Sequence, residues 1–120
     1  MKIAYFDCPT GIAGNMILGA LLDAGLDKDY LLAELKKLRM ANYELRIRKI
    51  KKNGITGTYV YVKTRKTNAP RNLCDILKII TNSRLEPKVK KLSIKIFKKI
   101  AAAEARVHSL PIDKIHFHEV

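Results

Sequence analysis

Tyr43–Lys63, YELRIRKIKKNGITGTYVYVK, is the stretch that decides the fold class. Tyr43, Leu45 and Ile47 alternate with Glu44, Arg46 and Arg48, a period of two that belongs to a strand with one face turned inward. Asn53-Gly54 follows, and Ile55–Lys63 resumes as a strand through Tyr59, Val60, Tyr61 and Val62. Asn-Gly tolerates the backbone of a two-residue turn, so the two runs predict a β-hairpin.

Helical periods flank the hairpin on both sides. Upstream, Lys2–Asp7 (KIAYFD) reads as a buried strand that breaks at Cys8-Pro9-Thr10-Gly11. Gly14 to Ala24 reads as an apolar helix closed by Gly25. Asp27 can cap a second helix, with Leu31, Leu32, Leu35 and Leu38 on one face. Downstream, Lys63–Asn72 is a polar, basic connection, followed by a short helix over 73–81 with Leu73, Ile76, Leu77 and Ile80 inward. A longer helix over 86–107 carries Val89, Leu92, Ile96, Ile100, Ala103 and Val107 as a clean apolar stripe, lysines on its far side. Pro111 stops it, and Lys114–Val120 (KIHFHEV) looks like a last strand. The order β-α-α-β-β-α-α-β predicts an α/β (α+β) fold, a single sheet with helices packed on it, in one domain over residues 1–120. A strand-like run that stops at Val120 with no turn after it predicts the front part of a longer protein.

Composition narrows the setting. The 120 residues are 48% hydrophobic and 29% charged, which excludes a disordered or fibrous chain. The longest uncharged apolar stretch, Ile12–Leu22, is too short to span a bilayer, so no membrane is expected. Two cysteines, Cys8 and Cys74, make no disulfide framework, and no secretory signal is visible, so the expected location is cytoplasmic. The formal charge is +13, unevenly placed. Residues 1–35 hold two cations against five acids, residues 36–52 eight against one, and residues 84–99 seven against one. Such asymmetry suggests an anionic partner, although lysines also coat solvated faces without any partner.

Three groups of residues could carry chemistry. The first is the loop Asp7-Cys8-Pro9-Thr10-Gly11-Ile12-Ala13-Gly14-Asn15-Met16. A strand end, a glycine-punctuated loop and a helix start aim free N–H groups at an anion. Asp7 could hold a metal or a hydroxyl, and Thr10 could bind an anion or cap the helix. The loop is neither a Walker A sequence nor GxGxxG, and it serves equally as a structural turn. Cys8 reads as a thiolate ligand or nucleophile, or as packing. The second group is His116-Phe117-His118-Glu119. On a strand both imidazoles share one face, about 7 Å apart, with Phe117 in the core. Two nitrogens and an oxygen from Glu119 suit a borderline metal but leave the site incomplete, hence weak and lost on acidification through the histidine range. The third group is the hairpin's basic surface, where Tyr43, Tyr59 and Tyr61 lie beside Arg46, Arg48, Lys49, Lys51 and Lys52 and could stack bases. Alternatively, Tyr59 and Tyr61 point into the core. No RNP-like, GXXG or helix-turn-helix pattern supports nucleic acid.

Taken together the motifs are similar to a known family. Asp7-Cys8 with Gly11-Ile12-Ala13-Gly14-Asn15-Met16, Arg71-x-Leu73-x-Asp75-Ile76, Glu104-Ala105-x-Val107-His108 and His116-Phe117-His118-Glu119-Val120 resemble the LarC family of nickel insertases, in order and from end to end. The resemblance implies a lyase-class, CTP-dependent chelatase that inserts nickel into pyridinium-3,5-bisthiocarboxylic acid mononucleotide, giving the nickel-pincer cofactor of lactate racemase. A divalent ion, Mn or Mg, would assist. It assigns Asp7, Cys8, Thr10, Gly11, Gly14 and Asn15 to the phosphorylated precursor, and His116, His118 and Glu119 to metal. Thr10, Ala13 and Asn15 stand where the family has Ser, Ser and Asp, Asn72 where many members have His, and Ser109 where Gly is usual. Family chains continue well past the last motif, so a carboxyl-terminal domain or second subunit is an implied partner, and the piece alone is expected to be incomplete. The competing readings are a non-enzymatic basic module binding nucleotide or RNA, and a truncated scaffold completed by a partner chain.

Overall fold

Asn53 and Gly54 adopt φ values of 52° and 83°, the left-handed pair that a two-residue hairpin turn requires. They join β1 (Tyr43–Lys52) to β2 (Ile55–Thr64), antiparallel along their full lengths, with Ile47 opposite Val60 and Arg48 opposite Tyr59. The computed structural model describes residues 1, 3–9, 11–41, 43–64 and 70–117. The chain forms two compact units, Met1–Tyr30 with Tyr43–Thr64 and Leu31–Asn42 with Arg65–Val120.

In the first unit, helix α1 (Gly14–Asp23) packs on β2. Gly19 makes this approach possible, because a Cβ there would overlap the Thr58 carbonyl oxygen. At the end of α1 the Asp23 carboxylate accepts the Thr58 N–H at 2.8 Å, the Thr58 hydroxyl at 2.6 Å and the Lys49 ammonium. Val60, 1% exposed, is the buried centre of the hairpin face that α1 covers. The Lys49 hydrogen bond above all, then the two from Thr58, hold the Asp23 carboxyl down at about 2. Asp27 accepts the Tyr30 N–H at 2.6 Å, so it caps α2 (Lys28–Lys36) as its position predicts.

The second unit is built on two helices, α3 (Leu73–Asn82) and α4 (Pro87–His108). A capping box starts α3. Asp75 N–H donates to the Asn72 side chain at 3.0 Å, and Asn72 N–H donates back to Asp75 at 3.2 Å. The link to α4 is fixed at the buried Ser83, whose hydroxyl donates to the Ile80 carbonyl at 2.6 Å and accepts from Leu85 N–H at 3.3 Å. Ile76 and Ile80 of α3, Ala101 of α4 and Phe117 form the core, with Leu73, Ile94 and Phe97 packed against it. Short strands β3 (Arg71–Asn72) and β4 (His116–Phe117) pair antiparallel beside them, after a 3-10 turn at Ile112–Lys114.

The fold is α+β, with the hairpin between helical pairs as the sequence predicts. Four expectations need correcting. The predicted first strand does not pair: among the described residues, 3–8 have no ladder partner, and Ile3, Tyr5 and Phe6 are exposed. β-propensity shapes a strand but cannot supply a neighbour for its N–H and C=O groups. The single predicted sheet is two two-stranded ladders, because each short strand is paired within its own unit. The last strand is confined, within the described residues, to His116–Phe117, since Ile112–Lys114 turns instead. Finally, Val89, Leu92, Ile96, Ile100 and Val107 are exposed, whereas Ala101 is 0% exposed. α4 carries a second apolar stripe through Ile94, Phe97 and Ala101, and the small Ala101 lets α3 approach closely enough to select that face.

Two consequences are testable. Gly19→Ala should destabilise the first unit by about 1–3 kcal/mol, measured by urea unfolding, because backbone rather than a flexible side chain must move. The second concerns acid. A carboxylate depressed in the folded state contributes stability present above its unfolded value, about 3.9, and lost as pH falls towards 2. The α1–hairpin contact should therefore loosen between pH 4 and 2, followed by the Thr58 amide resonance. Asp23→Asn should be less stable at neutral pH and flatter across that range.

Candidate functional site

The loop before α1 borders an open cavity of about 300 Å3. Asp7, Cys8 and Gly11 line it, together with the rings of Tyr5 and Phe6 and, from α1, Met16, Ile17 and Ala20. Gly11 N–H donates to the Cys8 carbonyl at 3.1 Å and closes the turn. The N-cap of α1 is Ala13, which has no side chain to cap with, and no acidic residue occupies the first turn. Ile17 N–H reaches the Ala13 carbonyl at 3.0 Å, leaving the amides of Gly14, Asn15 and Met16 without acceptors in the helix. That end attracts anions, and the Asp7 side offers a carboxylate and a thiol to a cation. Gly14 and Asn15 begin the helix without lining the cavity. Thr10 lies outside the described residues. Cys8 is half-buried, and neither it nor Cys74 is in a disulfide.

His116 belongs to the second unit. It faces solvent opposite Asn72 in the β3–β4 ladder. Its neighbour Phe117 points the other way, buried edge-to-face against Phe97 with ring centroids 5.8 Å apart at 86°. His118 and Glu119 lie outside the described residues. His108 is engaged by Glu104 at 3.1 Å, one helical turn away. Among the described residues no three His, Cys, Asp or Glu side chains gather closely enough to hold a metal.

The hairpin's basic surface divides by strand parity. Tyr59 and Tyr61 are paired with Arg48 and Arg46, on the face opposite Val60 and away from α1. The alternative that places both rings in the core is therefore incorrect. Val60 occupies the inward position, and alternation turns its two neighbours outward. Tyr43 pairs with Thr64 on the inner face, so it does not join them. Arg46 is held by Glu44 through two hydrogen bonds of 3.0 and 3.3 Å. This pair holds the Glu44 carboxyl below its usual range and raises the Arg46 guanidinium. The Arg48 guanidinium lies 5.4 Å from the centre of the Tyr59 ring. Asp23 was not among the residues that sequence patterning singles out. Its only signal is an acid at a helix end, where the dipole disfavours it, which calls for a cationic or N–H partner elsewhere.

Among the described residues no helix is long and apolar enough to cross a membrane. No solved structure matches the chain. A pyridinium-3,5-bisthiocarboxylic acid mononucleotide nickel insertion protein of Desulfitobacterium hafniense is 48% identical over 120 residues, all of this chain and 30% of that protein. A protein of the same description from Clostridium kluyveri is 44% identical over 133 residues, again all of this chain and 33% of that protein. The chain thus spans about a third of the length of these curated relatives. The family model described as nickel insertion protein matches residues 4–120. With nearly every residue inside that match, the chain belongs to the nickel insertion protein family.

Proposed function

We propose that this chain supplies the amino-terminal part of a nickel insertase acting on a phosphorylated pyridinium mononucleotide. The observation that carries this reading is the family match over residues 4–120, joined to a loop cleft lined by Asp7, Cys8 and Gly11 next to the start of α1. The precursor's phosphate would dock at the amides opening α1, beside Gly11, Gly14 and Asn15. Thr10 belongs to the same loop by sequence. The pyridinium ring would lie along Tyr5 and Phe6, which need an apolar face against them. Asp7 and Cys8 would face the ring's sulfur arms and the incoming cation.

Nickel is the cargo. It takes nitrogen donors well, so His116 with His118 and Glu119 are the side chains we assign to it. Two imidazoles and one carboxylate leave coordination positions open, and an incomplete set suits a carrier. An ion that must move into a sulfur-armed ring has to leave its protein ligands, and few ligands exchange faster than a closed shell. CTP and a supporting Mn or Mg ion belong to the activity of the longer relatives, as the LarC resemblance implies, and we assign them no residue here. We place the reaction in the cytoplasm, where Cys8 stays a thiol.

The reading is tested by titrating the chain with nicotinamide mononucleotide, a pyridinium mononucleotide, and separately with nickel. The mononucleotide should shift the amide resonances of Gly11 to Met16. Nickel should bind weakly by calorimetry, and the His116→Ala/His118→Ala variant should lose at least about tenfold in affinity. Unshifted loop amides together with unchanged nickel binding in that variant would retire the proposal.

A further inference from the structure

The hairpin's outer face holds a cleft that the loop cavity does not use. Its volume is about 280 Å3, and Arg46, Arg48, Tyr59 and Tyr61 line it. It lies across the hairpin from α1, because Val60 and its in-register neighbours take the helix side. It is therefore separate from the cavity at the other end of that helix.

We propose that this cleft binds one phosphorylated heteroaromatic ligand of the nucleoside monophosphate class. Two guanidiniums and two phenol rings on adjacent cross-strand positions present both halves of such a ligand's chemistry. Guanidinium forks match phosphate oxygens, and tyrosine faces stack on bases. The cations are differently prepared. Arg46 is anchored by Glu44, which fixes its plane but leaves part of its donor fork unused. Arg48 lies against Tyr59 and, among the described residues, has no carboxylate partner. Arg48 is thus the phosphate donor, pre-aimed by the ring beneath it. Tyr61, 47% exposed, offers the open face for the base.

The same face argues for a single nucleotide over a strand of RNA. The cleft sits at the lower edge of small-ligand pockets, which run from about 300 Å3 upward. Beyond it on one side stand Glu44 and its cross-strand partner Lys63, opposite charges that together offer the next phosphate little net attraction. On the other side stand Ile50 and Gly57, which offer neither cation nor aromatic ring.

The experiment maps amide shifts of the chain on titration with AMP, adenosine, ribose 5-phosphate and a uridine octanucleotide. AMP should bind saturably, with shifts centred on Arg46, Arg48, Tyr59 and Tyr61. Adenosine and ribose 5-phosphate should each bind at least about tenfold more weakly, since each lacks one recognition element. Arg48→Ala and Tyr61→Ala should each weaken AMP by a similar factor. The Thr58 amide, held by Asp23, reports in each variant that the unit is still folded. Shifts confined to Gly11–Met16 would assign AMP to the loop cavity and overturn the proposal without touching the nickel reading. So would an octanucleotide that binds while AMP does not, or AMP affinity unchanged in both variants.

Discussion

The Asp23 carboxylate is the contact on which the first unit depends. One side chain receives the backbone N–H and hydroxyl of Thr58 and the ammonium of Lys49, so it ties the end of α1 to both strands of the hairpin. Asp23 is partly exposed, which keeps the desolvation cost low, and three donors converge on it. Gly19, one turn earlier, removes the side chain that would hold helix and strand apart. Electrostatic pinning and steric permission act on the same residue, Thr58, whose N–H and hydroxyl meet Asp23 and whose carbonyl meets Gly19. Together they decide which hairpin face is covered. Both candidate sites of the unit follow from that choice: the amides opening α1 are carried at its far end, and the arginines and tyrosines are left outside.

Much of this was legible in the sequence, for local reasons. The Asn53-Gly54 turn, the period of two in β1, the Asp27 cap and the inward face of α3 are each set by residues within a few positions of one another. What was not legible depends on partners distant in the chain. Ile3, Tyr5 and Phe6 have the composition of a buried strand, yet a strand exists only where another backbone lies beside it. α4 offers two apolar stripes, and periodicity marks Val89-Leu92-Ile96 more clearly than Ile94-Phe97-Ala101. Packing prefers the second, because closeness of approach to Ile76 and Ile80 is set by the small Ala101 and not by total hydrophobicity.

The candidate site shows the same division. Sequence order alone brings Asp7, Cys8 and Gly11 to one loop, and the structure makes them walls of one cavity. The imidazole of His116 and the ring of Phe117 point to opposite sides of β4, as alternation along a strand requires. The grouping of Tyr43 with Tyr59 and Tyr61 was a matter of proximity in sequence, and the register separates them: Tyr43 pairs with Thr64, while the other two pair with arginines. One residue of parity decides whether a tyrosine packs on the α1 side or meets solvent.

Charge in this chain is not one uniform surface. The excess of +13 is distributed over surfaces with different neighbours, and only part of it is organised. Lys49 is taken by Asp23, Lys37 by Glu34 and Lys90 by the Thr81 carbonyl, while Arg46 is oriented by Glu44. A long polyanion needs a row of uncommitted cations at phosphate spacing, whereas a small anion needs one or two with fixed orientation. Arg48, held in place by a ring and not by a carboxylate, meets the second requirement. The outer hairpin cleft, as proposed, relies on this second kind of recognition.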